Sequence, residues 1–229
     1  MTAQSNTAQS FQGYGNDFIK KAGHSPDAYV QMAIQLATYR LFGEQAGTYE
    51  ATQVRPFLNG RTETTRTVSL ESEAFIKKMG LRLKQDEDDP EIRKEKLDLL
   101  QKATTAHVKY IVKAAQAQGV DRHFFGLSML VEDGEETPPL FSDPVFIRSK
   151  RWRVSTSHLT HQKFANWGFG PVVPDGVGIA YSILPRSCLF NITALDETEW
   201  AFKLSELLEE ALLEIQRLVE LDQTPASKL

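Results

Sequence analysis

The sequence predicts an α/β fold in which helices interleave with at least three or four strands of a mixed sheet. Three observations support this class. A well-delimited helix begins after Ser25, strand-like segments lie between residues 151 and 195, and a long amphipathic helix follows Asp196. Such an alternation is typical of helices that pack on a sheet.

The amino-terminal part of the chain predicts a tail and then a helix. Residues 1–10 are small and polar, and we expect them to be a loose tail. In the segment SPDAYVQMAIQLATYRLFG, Ser25 is the expected N-cap and Pro26 takes the first helical position. Asp27 suits the positive first turn, and Gly43 ends the helix.

The middle of the chain predicts strands and two further helices. Residues 51–68 carry β-branched residues and turn formers, and SLESEAFIKKMG predicts a short helix that ends at Gly80. We interpret the acidic DEDDPE segment as a solvated loop rather than a metal site. Its Asp89 should cap the next helix, with Pro90 at the first position and Gly119 after the end.

The carboxy-terminal part supplies more strands and the last helix. RWRVSTSHL, GIAYSIL and CLFNITAL predict strands, and the basic run at 147–153 is also interpreted as a strand because arginine alternates with apolar residues. The final amphipathic helix follows Asp196. We therefore expect one domain over residues 11–221 and an exposed tail over residues 222–229.

Composition limits the possible functions. The 229 residues are 41% apolar and 24% charged, as in ordinary globular domains. A net charge of -4 argues against general nucleic-acid binding, which needs a basic surplus. Cys188 is the single cysteine, so no internal disulfide is possible, and its apolar setting predicts a buried thiol. No apolar run reaches membrane-spanning length.

Common catalytic signatures are absent from the sequence. It has no GxSxG, no phosphate-binding glycine loop and no HExxH. His158 and His161 are three residues apart, but no Cys, Asp or Glu nearby completes a ligand shell, so we expect no metal site. Capping explains His24 and Asp27 better than catalysis does. The remaining histidines are interpreted as core or surface residues: His107 and His123.

Five strings carry a resemblance to a known family. TYEATQVRPFLNGRTETTRT, SPDAY, DRHFFGL, STS and GFGPVVPDGVGIAY resemble the carnitine/choline acyltransferase family, specifically its carboxy-terminal half, from about Phe11 to Leu221. The resemblance implies a fold similar to chloramphenicol acetyltransferase. It also implies transfer of an acyl group between coenzyme A and the hydroxyl group of carnitine or choline, which are substrates, with no further cofactor.

The resemblance assigns a carnitine site to hydroxyl, guanidinium and aromatic side chains. Carnitine carries a trimethylammonium and a carboxylate, so its site needs an aromatic face and hydrogen-bond donors. By the resemblance, Tyr49, Thr62 and Arg122 hold the carboxylate, and Phe169 forms part of the wall around the cation. The triplet TET at 62–64 resembles the one found in the carnitine enzymes of the family, whereas the choline enzymes, whose substrate has no carboxylate, carry a different triplet there.

Residues of the reacting centre are also implied by the resemblance. Ser155 and Ser157 resemble the family pair near this centre, with Ser155 on the carnitine side and Ser157 the better candidate for supporting the oxyanion. Trp167 occupies the position that borders the acyl pocket. Its bulk predicts a preference for acetyl groups, and the alternative is that it is an ordinary core residue.

Coenzyme A needs positive charge for its phosphates. GYGNDFIKKAGHSPD resembles the segment of the family that binds the nucleotide end, where Lys20 matches a phosphate-contacting lysine and Asp27 lines the same groove. Asn16 replaces a second lysine of many members, so the phosphate contact loses a charge unless Lys21 compensates. Ala51 replaces a frequent serine, which removes one possible hydroxyl contact.

The general base of the family does not match any residue of this chain. It is a histidine in an H-x-x-x-D pattern, and none of the five histidines has aspartate four residues later. Three interpretations remain open: a fragment of an active carnitine O-acetyltransferase, which we favour; a non-catalytic module that binds carnitine, coenzyme A or a partner protein; and a fragment of a choline enzyme, which the TET triplet disfavours.

The final three residues, SKL, match the signal that the peroxisomal import receptor reads. From this tripeptide we expect a peroxisomal protein with the import receptor as partner, and neither nucleic acid nor a membrane among its partners. Mitochondrial or cytosolic forms remain possible.

Overall fold

The computed structural model describes residues 3–81, 89–161, 163 and 166–223. The elements follow one another in the order β1 (Gln4–Phe11), α1 (Asn16–Lys21), α2 (Pro26–Phe42), β2 (Thr48–Gln53), β3 (Thr62–Arg66), α3 (Leu70–Met79), α4 (Pro90–Ala115), α5 (Asp121–Ser128), α6 (Pro139–Ser142), α7 (Pro144–Ser149), β4 (Val154–His158), β5 (Val177–Ile183), β6 (Cys188–Leu195), a 3-10 turn (Asp196–Thr198) and α8 (Trp200–Gln223).

The six strands form one mixed sheet in the order β1-β6-β5-β4-β2-β3. The pairs β2–β4 and β4–β5 are parallel, and the other three pairs are antiparallel. The predicted α/β class, a mixed sheet with flanking helices, is therefore confirmed.

Helices α2, α4 and α8 pack on one face of the sheet, which we call the helix face. Gln31 of α2 donates to Thr156 of β4 at 2.9 Å, and Gln9 of β1 donates to the carbonyl of Ser205 in α8 at 3.1 Å. A buried ion pair between Arg40 and Glu214, 2.6 Å apart, joins α2 to α8. Burial of each large aliphatic side chain in this interior contributes about 1.5 to 3 kcal/mol.

The other side of the sheet, which we call the open face, carries small and polar side chains. Side chains alternate along a strand, and directly paired residues point to the same face. Tyr49 pairs with Arg66 on one side and with Ser155 on the other, so these three side chains share the open face. Its neighbour Glu50 therefore points to the helix face.

The helix boundaries follow the predicted local signals. Gly43 ends α2 with a φ of 74°, a left-handed conformation that glycine adopts without strain. Ser69 caps α3 through a reciprocal pair of hydrogen bonds with Ser72, and the Asp89 side chain accepts from the first turn of α4. Ser25 occupies the N-cap position of α2, but its side chain makes no capping hydrogen bond.

Several sequence predictions about the elements are wrong. Residues 4–10, predicted to be a loose tail, belong to β1, because backbone pairing with β6 orders them despite their polar composition. The run at 147–153 is not a strand: α7 continues to Ser149, and β4 begins only at Val154. The domain extends two residues beyond the predicted limit, because α8 ends at Gln223. The rest of the predicted tail and the SKL signal lie outside the described residues.

Two further expectations concern the whole chain. Cys188 is buried, as predicted, and burial raises the pKa of its thiol to about 12. Within the described residues, no helix combines the length and the apolar character that crossing a membrane requires.

Candidate functional site

A shallow pocket of about 390 Å³ lies on the open face beside β2 and the start of α5. Its walls combine aromatic rings, hydroxyl groups and cationic side chains. They are formed by Tyr49, Thr64, Asp121, Arg122, Phe125, Lys150, Trp152 and Val172. An aromatic wall with nearby donors is suited to a small molecule that carries both a cation and an anion.

Arg122 is held at this pocket by hydrogen bonds to the first residue of β3. Its Nε donates to the carbonyl oxygen of Thr62 at 3.0 Å, and its NH2 group donates to the Thr62 hydroxyl at 3.3 Å. The guanidinium is exposed, so its remaining donors are available to a ligand. The structure therefore brings together two residues that are 60 positions apart in the sequence.

A buried carboxylate sets the position of the Arg122 backbone. Glu63, only 3% exposed, accepts from the backbone N–H of Thr64 at 2.6 Å and from that of Arg122 at 3.3 Å. A Cβ atom at Gly119 would lie 2.5 Å from Cγ of Glu63. A larger residue at 119 would therefore displace the Glu63 side chain, which fills this space.

Arg66 and Trp152 form the adjoining wall. Arg66 makes a two-point interaction with Asp121, with donor–acceptor distances of 2.9 and 2.8 Å, and its guanidinium lies 5.0 Å from the centre of the Trp152 ring. The Tyr49 ring lies 6.0 Å from the same tryptophan. The cation of Arg66 is therefore already paired, whereas the Tyr49 ring faces the pocket.

The two predicted serines lie next to this pocket on β4. Ser155 pairs with Tyr49 of β2 and with Gly178 of β5, while Ser157 pairs with Ala180. Neighbouring strands are about 5 Å apart, so Ser155 is in the next row from Tyr49. Thr156, between the two serines, points to the helix face and donates to the Tyr49 carbonyl at 2.8 Å.

The segment that contains Trp167 and Phe169 crosses the open face over β5 and β6. The Thr193 hydroxyl donates to the carbonyl oxygen of Phe169. A Cβ at Gly178 would lie 2.7 Å from that oxygen, so the close approach of this segment requires glycine. The rings of Trp167 and Phe169 are 5.8 Å apart, and Trp167 is half-buried. Both lie on the same side of the sheet as the serines.

The residues predicted to contact coenzyme A lie elsewhere. Lys20 and Lys21 are exposed in the last turn of α1. Asp27 is on the helix face, in the first turn of α2. The structure thus places Asp27 on the opposite side of the sheet from the predicted carnitine residues, while Lys20 and Lys21 lie at the exposed end of α1.

Asp27 belongs to a buried cluster that sequence analysis missed. His107 of α4 places Nε2 3.3 Å from Asp27 Oδ2 and 3.0 Å from Glu50 Oε2. Burial alone would lower the pKa of His107, but the hydrogen bonds to Asp27 and Glu50 outweigh it and raise this pKa to about 9. An imidazolium between two carboxylates is therefore the expected state at neutral pH.

Burial and neighbouring charges act in opposite directions on the two carboxyl groups. For Glu50, burial and the Asp27 charge raise the pKa. For Asp27, burial opposes ionisation, but the hydrogen bonds from His107 and His158 prevail and hold the pKa well below its usual range. Asp27 is accordingly ionised at neutral pH.

The cluster continues to the end of β4 through Tyr181 and His158. Tyr181 donates to Asp27 Oδ1 at 2.7 Å, and Gln31 donates to the Tyr181 hydroxyl at 2.9 Å. The His158 ring stacks on Tyr181 with centroids 4.9 Å apart, and its Nδ1 lies 3.2 Å from Asp27 Oδ1. These contacts connect α2, α4 and three strands through one polar network.

The structure changes the interpretation of Asp27 and adds detail to that of His107. Capping does not explain Asp27, whose carboxylate binds His107, His158 and Tyr181 instead. His107 is a core residue, as one of the two alternatives had it, but it is ion-paired. Among the described residues, one ligand atom each from Asp27, Glu50 and His107 lie within 4.8 Å of one another, and the protonated His107 is itself the cation of this set, so the absence of a metal site stays a prediction.

No local sequence signal reveals this cluster, because Asp27 and His107 are 80 positions apart and Glu50 is the single acidic residue of its strand. The only available clue was the presence of acidic residues at buried positions of strands, where charges are rare unless they are paired.

Comparisons with known proteins place these features in a family. The profile described as Choline/Carnitine o-acyltransferase matches residues 1–210, and the chain belongs to this family of acyltransferases. Carnitine O-acetyltransferase of Columba livia is 38% identical over 96% of this chain, and the mitochondrial carnitine O-acetyltransferase of Saccharomyces cerevisiae is 42% identical over 76%. Choline O-acetyltransferase of Sus scrofa is 35% identical over 97%.

The chain spans about a third of the length of the Columba livia and Sus scrofa proteins, 34% in each case, and its match covers 25% of the Saccharomyces cerevisiae protein. Among solved structures, the condensation domain for chain release from the enacyloxin polyketide synthase matches all of this chain and 43% of its own, with a TM-score of 0.51 and 9% identity. At that identity the likeness concerns the fold alone.

Proposed function

We propose that this chain takes part in the transfer of an acetyl group between coenzyme A and carnitine, and that its open face forms the carnitine site. The observation that carries this proposal is the attachment of Arg122 to Thr62 at the rim of an aromatic pocket. The donors of Arg122 would bind the carboxylate, and Tyr49 would face the bound molecule.

Charge supports carnitine over choline. Arg122 and Lys150 both line the pocket, and Asp121 there is already paired with Arg66. A cationic rim attracts a carboxylate and gives no advantage to a ligand whose only charge is positive. Aromatic side chains, by contrast, would accept the trimethylammonium group of either molecule.

Coenzyme A would approach from the other side of the sheet. Lys20 and Lys21 provide exposed positive charge at the end of α1, and Asp27 lies six residues beyond this helix. The thioester would then have to reach Ser155 and Ser157, which occupy the strand that carries His158 of the buried cluster at its end. In this proposal Ser157 supports the oxyanion.

The general base would come from outside these 229 residues. Apolar side chains beside the pocket are strongly exposed on and after α5 and in α7: Phe125 is 59% exposed, Met129 69%, Leu130 73% and Val145 76%. A surface of this kind is typical of one that another part of a protein covers. We propose that such a part completes the site and supplies the histidine base.

Saturation-transfer NMR on the purified chain tests the carnitine site, because it detects weak binding. We expect signals from carnitine that exceed those from choline. Arg122→Gln should weaken carnitine binding by about 1.5 kcal/mol, the low end for a charge-assisted hydrogen bond because Arg122 is exposed. Arg61→Gln removes the same charge at an exposed position of the turn before β3 and serves as the control. Equal effects of the two changes would contradict the proposal.

A further inference from the structure

Three side chains in contact with one another lie at the carboxyl end of β4, outside the pocket of Arg122. His158 Nδ1 lies 3.2 Å from Asp27 Oδ1, and His158 Nε2 lies 2.7 Å from the hydroxyl of Thr160. We propose that Asp27, His158 and Thr160 form a catalytic triad that cleaves small activated acyl esters and thioesters.

The distances agree with those of activated nucleophiles. A hydroxyl within about 2.6 to 3.2 Å of an imidazole nitrogen, with the other nitrogen oriented by a carboxylate, is the arrangement that lets a neutral hydroxyl attack a carbonyl. Stacking on Tyr181, with an angle of 4° between the rings, fixes the plane of the His158 imidazole. The His158 imidazole is therefore positioned by Tyr181 against its face and by Asp27 and Thr160 at its two nitrogens.

The hydrogen bonds also fix the direction of proton transfer. The backbone N–H of Ile183 donates to the Thr160 hydroxyl oxygen at 2.9 Å, which leaves the hydroxyl proton to be donated to His158 Nε2. Asp27 is ionised and can only accept, so the ring nitrogen that faces it, Nδ1, carries a proton. The tautomer that results is the one in which Nε2 acts as a base.

Thr160 and His158 are open to solvent on one side and have buried carboxylates on the other. Thr160 is exposed, and the His158 side chain is 29% exposed, so a small substrate reaches both. Behind them lie the carboxylates of Asp27 and Glu50 and the single imidazolium of His107. Protonation of His158 during catalysis would place its positive charge beside Asp27, which stabilises the imidazolium.

The reaction proceeds through an acyl-threonine. The Thr160 oxygen bonds to the acyl carbon while its proton moves to His158 Nε2. The bond from carbon to the leaving sulfur or oxygen breaks, and His158 returns the proton to the leaving group. Water then attacks the ester in the same way, which releases the carboxylic acid and restores the Thr160 hydroxyl. Water is the only co-reactant.

The thioester part of this inference rests on the proposed coenzyme A site, whereas the ester part does not. The test therefore uses two substrates, p-nitrophenyl acetate and acetyl-coenzyme A, with the full chain and no carnitine. We expect p-nitrophenyl acetate to be cleaved about a hundredfold faster than in buffer. Peptide mapping of the reacted protein should find an acetyl group on Thr160.

Variants separate a catalytic role from a structural one. His158→Ala and Thr160→Val should each return the rate to that of buffer, and Thr160→Ser should restore it, because serine keeps both the hydroxyl and the hydrogen bond from Ile183. His123→Ala, an exposed histidine of α5, is the control that should retain the full rate. Thermal unfolding of each variant verifies that it is folded.

Either of two results would overturn the triad. One is that folded Thr160→Val still cleaves p-nitrophenyl acetate at the wild-type rate. The other, which needs no variant, is that the wild-type chain becomes acetylated at sites other than Thr160. Cleavage of p-nitrophenyl acetate without cleavage of acetyl-coenzyme A would leave the triad standing and count against the coenzyme A site.

Discussion

His107 Nε2 lies 3.0 Å from Oε2 of Glu50, and this contact joins the middle of α4 to β2 inside the protein. Both side chains are at most 3% exposed. Asp27 approaches the same nitrogen at 3.3 Å, so one imidazolium serves two carboxylates. The charge of this imidazolium therefore adds to the apolar contacts that hold the helix layer against the sheet.

Replacement of His107 should therefore destabilise the protein. His107→Asn removes the cation and leaves two carboxylates close together, for which we expect a loss of about 3 kcal/mol in the free energy of unfolding. Urea denaturation at neutral pH measures it. His123→Asn, at an exposed position, should change the stability by less than about 0.5 kcal/mol. Similar losses in the two variants would show that the buried ion pairs contribute little.

The pH dependence of stability follows from the same residue. The pKa of His107 is raised from 6.5 to about 9, so its stabilising contribution is complete below about pH 6.5 and disappears as the pH rises through 9. The expected loss is on the order of 3 kcal/mol. At the acid end, Asp27 has a lowered pKa, so its contribution is present above pH 3.8 and declines as the pH falls below that value.

Urea titrations between pH 6 and 10 measure the alkaline part. His107→Asn should lack the decline that the wild-type protein shows through pH 9. An unchanged slope in the variant would mean that another group titrates there.

Gly119→Ala should impair the Arg122 site from a distance. The new Cβ would lie 2.5 Å from Glu63 Cγ, so the carboxylate must move and the Arg122 backbone loses its acceptor. We expect a loss of about 1 to 3 kcal/mol in stability, together with weaker carnitine binding by NMR. Gly126→Ala is a matched control in α5, because its Cβ meets nothing within 4 Å, and it should stabilise the helix by about 0.5 to 1 kcal/mol. If both variants behave alike, the Glu63 contact is not responsible.

Trp167 should limit the length of the acyl group. If its indole closes the acyl pocket, Trp167→Gly should increase the binding of octanoylcarnitine relative to acetylcarnitine by about 0.8 kcal/mol for each methylene that becomes buried. Competition NMR with the two esters measures the ratio. Trp167→Phe, which keeps most of the bulk, should leave the preference for acetyl nearly unchanged. A wild-type chain that already prefers octanoylcarnitine would rule out this role.

The purified chain should not transfer acetyl groups to carnitine at a significant rate. The sequence contains no H-x-x-x-D histidine, and the aromatic pocket is open on one side, so the carnitine hydroxyl has neither its expected base nor a fixed orientation. Mass spectrometry of acetylcarnitine after incubation with acetyl-coenzyme A provides the measurement. Robust turnover would show that the base has been assigned incorrectly.

Elements with strong local signals were predictable from the sequence. The starts of α2 and α4 follow Ser25-Pro26 and Asp89-Pro90, and the end of α3 follows from Gly80. β1 was missed because its residues have little intrinsic preference for a strand. The order of β1 comes from pairing with β6, which lies more than 170 positions further along the chain.

For the candidate site, resemblance to a family indicated Tyr49, Thr62 and Arg122; in the structure Tyr49 and Arg122 line one pocket, and Thr62 is hydrogen-bonded to Arg122. The roles assigned to them remain predictions. Neither resemblance nor local pattern indicated Glu63 as the acceptor of the Arg122 N–H, or His107 as the partner of Asp27. Both depend on contacts between residues at least 59 positions apart, which no local pattern records.

Consecutive residues of strand β2 point into two different environments, the aromatic pocket and the buried ion pairs. Tyr49 faces the aromatic pocket, while Glu50 faces the buried ion pairs, and the Tyr49 carbonyl accepts from Thr156 between them. Substitutions along this strand can alter one side and spare the other. Insertion or deletion of a single residue, however, would exchange the two sides at once, placing a carboxylate in the pocket and a phenol beside His107. Homologues should therefore differ in β2 by substitutions, while the length of the strand stays constant.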